Sequence, residues 1–163
     1  MNPLHLVPND AQPLPVVLYV DDDAGNRQAF QAAFRRHFVV RAATGFEEAW
    51  AWLGRGGVDV IITDQRMPRV TGSELLHLVK ERFPLVKRML MTGYADVSAV
   101  INAVNRGGVV RYISKPWDPK EVIDSVDEAF AMVRREREQL AWTEQLVESN
   151  RQLEFALRQR LLS

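Results

Sequence analysis

The stretch VVLYVDDDAGN, Val16 to Asn26, decides how this chain is read. Four apolar residues and a tyrosine run straight into three aspartates. A strand with one wet face alternates apolar and polar residues. A strand covered on both faces is apolar throughout, and residues 16–20 are of that kind. Neighbouring carboxylates raise one another's pKa, so three in succession need compensation. A cation is the obvious source.

Working outward, similar apolar runs recur at 38–42, 58–63, 86–91 and 109–113. Segments with helical spacing lie between them at 24–37, 45–53, 72–83 and 96–106, and a last one starts at Pro119. TGFE (Thr44, Glu47) and TGSE (Thr71, Glu74) read as capping boxes. DPKE sets Asp118 as N-cap with Pro119 at the first helical position. Strands alternating with helices predict an α/β fold, a doubly wound parallel sheet with helices on both faces. Ligands of such sheets bind beyond the carboxyl ends of the strands.

Composition sets bounds on function. The chain has 163 residues, 47% hydrophobic and 26% charged, which suits a globular protein. Lys+Arg and Asp+Glu both count 21, so net charge is zero and a whole-surface nucleic-acid binder is disfavoured. There is no cysteine, which excludes disulfides and thiolate metal sites. No apolar run approaches the roughly 18 residues of a membrane span. The first 14 residues read as a loose lead-in rather than a signal peptide, so no membrane role and a cytoplasmic location are expected.

The strand ends carry the chemistry. The first run ends in Asp21, Asp22 and Asp23, the third in Asp64, the fourth in Thr92, and the fifth near Lys115. Carboxylates suit a hard cation such as Mg²⁺, with Mn²⁺ as the alternative. A lysine and a threonine beside it could hold a phosphoryl group. The set reads as a phosphoryl-transfer site with an aspartate nucleophile. Asp23 reads as a helix-start residue rather than a ligand.

With VDDD, DQRMP, TG and KP following these strands in order, residues 16–129 resemble the receiver domains of two-component response regulators. The resemblance implies a flavodoxin-like sheet of order 2-1-3-4-5. It implies that Asp64 is the phosphoacceptor and that Asp21, Asp22, Asp64 and the Arg66 carbonyl hold Mg²⁺. Thr92 and Lys115 would bind the phosphoryl group, and Thr92 and Tyr112 would form the switch. Gly93 would leave access, while Arg66 and Tyr94 would shield the acyl phosphate. The Lys115–Pro116 bond is expected to be cis. The implied donor is a histidine kinase or a phosphotransfer protein. The implied role is a signalling switch, not an enzyme.

The rival class is a haloacid-dehalogenase-like phosphatase using Asp21 and Asp23. Gly25 stands where that family expects Thr or Val, and only Asp124 and Asp127 offer a late acidic pair. A coiled-coil adaptor with an inactive receiver is a third reading, disfavoured because the acidic set and Lys115 are all present. His5, His37 and His77 lack ligand spacing and read as surface residues. Trp50 and Trp52, two apart on one helix, are not expected to share a core-facing position.

The expected layout is a lead-in at 1–14, a receiver at 15–130 and a helical extension at 131–163. The final helix would run about 65 Å. Val122, Val126, Phe130 and Val133 form a stripe for the sheet. Beyond it, Leu146, Asn150, Leu153 and Leu157 form a seam, predicting a parallel, two-stranded homodimer. The extension has no histidine to act as phosphodonor, and no recognition helix or basic stripe for direct DNA binding. The wording DQRMP…MTGYAD…SKPWD also resembles receivers that precede cyclic-dinucleotide phosphodiesterase or transcriptional-activator modules. The extension is therefore either a dimerising coil or a linker to an output domain outside this chain.

Overall fold

A computed structural model describes residues 13–93, 100–101 and 108–163. The elements are β1 (Val16–Val20), α1 (Ala24–Phe34), β2 (Val39–Ala43), α2 (Phe46–Arg55), β3 (Val60–Asp64), α3 (Gly72–Arg82), β4 (Lys87–Thr92), β5 (Arg111–Ser114) and α4 (Pro119–Leu162). The expected helix at 96–106 lies, but for two residues, outside the described ones.

All strand pairs are parallel, in the order β2-β1-β3-β4-β5. The continuous apolar runs are explained by two cores. Side chains alternate across a strand. Val17, Tyr19, Val60, Ile62, Met89 and Met91 therefore face one core, with α1 and α4. Leu18, Val20, Ile61 and Leu90 face the other, with α2 and α3. On the first side Phe30 and Phe34 pack ring to ring at 4.6 Å, and Trp117 lies 5.1 Å from Phe34. Truncating either buried phenylalanine to alanine would cost about 3–5 kcal/mol.

Several local readings need correction. The first expected capping box is absent. Gly45, not Thr44, is the N-cap of α2 and makes no side-chain cap bond. The helix starts late enough that Glu48, rather than Glu47, reaches back to the Thr44 N–H and hydroxyl. Thr71 and Glu74 do form a full capping box, and Asp118 caps α4 through the Lys120 N–H. In α4 the buried stripe is Val122, Ser125, Val126, Ala129 and Val133. Ala129 takes the place assigned to Phe130, whose half-buried ring lies under the Arg134 guanidinium. Trp50 and Trp52 both pack on the second core, each half-buried from its own side. Trp50 meets Phe46 and Phe83, while Trp52 donates to the Ala42 carbonyl beneath Arg41 and Arg55.

Candidate functional site

The ladder continues one residue past three strand ends. Asp21 N–H donates to the Ala43 carbonyl, Gln65 N–H to Met91 and Lys115 N–H to Thr92. Backbone pairing therefore sets the carboxyl ends side by side and gathers residues distant in sequence. Asp21, Asp22 and Asp64 offer carboxylate oxygens within 4.8 Å of one another. Among the described residues, this is the one group of three or more acids or histidines close enough to share a metal ion.

The three consecutive aspartates have three environments. Asp21 is fully buried, and protein donors compensate it. Its Oδ2 accepts from the Tyr19 hydroxyl at 2.8 Å and from Asn26 Nδ2 at 3.1 Å. Its Oδ1 accepts from the Asp23 N–H at 3.0 Å, and its carbonyl from Arg27 Nη1 at 2.8 Å. Asp23 is the N-cap of α1, accepting the Asn26 N–H at 2.8 Å, which matches its reading as a helix-start residue. Asp22 is exposed, beside a cleft lined by Thr44, Phe46, Pro68 and Arg69. Among the described residues, compensation within the chain thus falls on Asp21 and Asp23. Asp22 is the acid left facing outward beside Asp64.

Lys115 supplies the ammonium. Its Nζ stands 2.9 Å from Asp64 Oδ1 and 3.6 Å from Asp21 Oδ2. The Lys115–Pro116 peptide bond is cis. Burial pushes the Asp64 carboxyl above its ordinary pKa, against the opposing pull of Lys115. The Tyr19 phenol is also pushed up, first by burial and then by Asp21, so it remains a donor.

Thr92 is buried at the end of β4, with its hydroxyl donating to the Gly93 carbonyl at 3.3 Å. Tyr112 on β5 is half-buried and pairs in register with Leu90. A Cβ added at Gly93 would meet none of the described atoms within 4 Å. Arg66 is exposed two residues past Asp64. Tyr94, expected to shield the site, lies outside the described residues.

Two functional neighbours escaped the sequence reading. Tyr19 read only as a strand aromatic, yet residues two apart share a strand face, which is the signal linking it to Asp21. Gly72 read only as part of a capping box. A Cβ there would fall 2.2 Å from the Asp64 carbonyl oxygen.

The family model described as response regulator receiver domain matches residues 17–127. The chain belongs to the response-regulator receiver family. It is 42% identical over 113 residues to the hydrogenase transcriptional regulatory protein HoxA of Cupriavidus necator, covering 69% of this chain and 23% of that protein. It is 33% identical over 123 residues to the DNA-binding transcriptional regulator NtrC of Escherichia coli, covering 74% of this chain and 24% of that one. The chain therefore spans about a quarter of the length of these curated relatives. A signal receiver domain of an HD domain-containing protein from Pseudomonas fluorescens Pf-5 superposes with a TM-score of 0.72 at 28% identity, covering 75% of this chain and 98% of that one.

The receiver domain is a regulatory phosphoacceptor rather than a catalytic enzyme, and its family takes phosphate from histidine kinases. The phosphatase reading of Asp21 and Asp23 loses its support, because Asp23 caps a helix and Asp124 and Asp127 lie on the exposed side of α4. Among the described residues, no helix is long and apolar enough to cross a membrane.

Proposed function

We propose that this receiver takes its phosphoryl group on Asp64. The observation that carries the proposal is the Lys115 ammonium 2.9 Å from Asp64 Oδ1, inside a cluster of three carboxylates. An Asp64 oxygen attacks the phosphorus of a phosphohistidine on a kinase or phosphotransfer protein. A P–O bond forms as the P–N bond breaks, and the imidazole nitrogen leaves with the electron pair and takes a proton from water. Lys115 then shifts from the carboxylate to the incoming phosphoryl oxygens. The Thr92 hydroxyl turns from Gly93 toward the same group, with Tyr112 following it.

The donor set fits a hard divalent cation, since it is all oxygen, three carboxylates and a backbone carbonyl. Asp22 and Asp64, with Asp21 and the Arg66 carbonyl, are the residues that would hold Mg²⁺, or Mn²⁺ in its place. A bound cation would neutralise charge as the phosphoryl group approaches the acids. Incubation with acetyl phosphate and Mg²⁺, followed by peptide mapping, tests the assignment. Label on Asp64 supports it; label on Asp21 restores the phosphatase reading.

The extension we read as a parallel homodimer contact. Leu146, Leu153 and Leu157 are 58%, 59% and 60% exposed, at the alternating spacing of a coiled-coil seam around Asn150. Phosphorylation would bias that contact by a population shift between two receiver states. HoxA and NtrC are named as regulators over much longer chains, and NtrC as DNA-binding. We assign this chain the receiver and the contact helix, with no DNA contact of its own. Light scattering with and without beryllofluoride tests this: a monomer in both states overturns the dimer.

A further inference from the structure

Past its last buried turn, at Val133, α4 makes two ion pairs with residues at the start of β3 and β4, among the described residues. Lys87 Nζ lies 2.6 Å from Glu136 Oε1, and Arg137 Nη2 lies 3.0 Å from Asp59 Oδ1. Both sheet partners are nearly buried, with side chains 9% and 6% exposed. Charges so placed need a counter-charge. Lys87 opens β4, and Asp59 immediately precedes β3. The far ends of those strands are Thr92 and Asp64.

The two sheet charges are fixed relative to each other. Asp59 Oδ2 accepts the Val16 N–H at 2.8 Å. Asp59 N–H donates to the Val16 carbonyl and Lys87 N–H to the Asp59 carbonyl, both at 3.0 Å. The signs are also matched: acid then base along the helix, base and acid on neighbouring strands. A helix turned or slid by one residue would set like charges together.

We propose that Glu136 and Arg137 form a two-point charge clamp that sets the angle at which α4 leaves the sheet. The buried stripe from Val122 to Val133 holds the first half of the helix, and one contact beyond it would still let the exposed half bend away about the Val133 turn. Two contacts on adjacent strands remove that freedom. Beyond Arg137 the helix is then an arm fixed to the strands that carry Asp64 and Thr92. This inference needs neither phosphate nor a second copy, so it stands or falls apart from the phosphoacceptor reading.

The absence of cysteine makes the test direct. Gln28→Cys on α1 and Gln152→Cys on α4, both exposed, take spin labels. The labelled full chain is diluted in unlabelled chain, so pulsed electron resonance reads the distance within one molecule. The parent should give one narrow distribution. Charge reversal by Glu136→Lys with Arg137→Glu should broaden it and shift its mean. Neutralisation by Glu136→Gln with Arg137→Gln should broaden it less, and it serves should the reversed variant fail to fold. The control reverses the neighbouring exposed charges, Arg135→Glu with Glu138→Lys, and should stay narrow. Clamp variants as narrow as the parent overturn the proposal, and so does a control broadened as much as they are.

Discussion

The buried hydroxyl of Tyr19 donates to Asp21 Oδ2 across 2.8 Å, between residues two apart on the same strand face. The ring is held by stacking on Phe30 at 4.1 Å with an interplanar angle of 0°. Tyr19→Phe keeps that packing and deletes one bond to a carboxylate. Such bonds contribute about 1.5–3 kcal/mol. Asn26 and the Asp23 N–H remain on Asp21, which places the expected loss near 1.5 kcal/mol in urea unfolding. A variant as stable as the parent would show that Asp21 does not depend on the phenol.

Gly72 opens α3 with its N–H on the Gln65 carbonyl. The Cβ of Gly72→Ala would collide with the Asp64 backbone, which has no flexible end to yield. Overpacking of this kind costs about 1–3 kcal/mol. The strain falls on Asp64, the proposed phosphoacceptor, so phosphorylation by acetyl phosphate should slow more than the stability loss accounts for. Normal labelling in a destabilised variant would confine the effect to the fold.

Most of the fold was legible because both faces of the sheet are buried. Runs such as Val16–Val20 and residues 60–62 have no polar face to confuse with a helix, and the acids that follow them stand out against them. The Thr71 box was equally legible, since its bonds are local. Its counterpart at Thr44 failed by one residue, because a helix start can shift without changing the pattern. The Lys87–Glu136 pair, 49 residues apart, left no local trace. Nor did the clash at Gly72, which depends on how closely α3 approaches β3.

Asp64 gives the chain a pH dependence. Burial raises its carboxyl above the ordinary value of 3.8, outweighing Lys115. Between the unfolded and folded pKa the folded chain binds more protons, so stability falls as pH rises through that window. Above it the full penalty remains. In chelator-treated buffer, Asp64→Asn should therefore be more stable than the parent at neutral pH. The advantage should vanish below the unfolded carboxylate range. Added Mg²⁺ should raise the parent's melting temperature and leave the variant's unchanged. A variant less stable than the parent at neutral pH would mean that Lys115, deprived of its partner, dominates.

The extension exposes more apolar surface than a two-stranded seam uses. Leu140, Trp142, Val147 and Leu161 flank Leu146, Leu153 and Leu157, all at least 48% exposed. A strict two-position seam suits two strands, whereas a wider stripe suits a bundle. In the proposed homodimer Asn150 would work against the larger assembly, because a buried Asn at such a position specifies register and strand number at a cost in stability. If the extension pairs as proposed, Asn150→Leu should therefore raise the melting temperature and move the species seen by light scattering from the proposed dimer toward trimers or tetramers. A variant that stays dimeric would show that the receivers, rather than Asn150, limit the assembly.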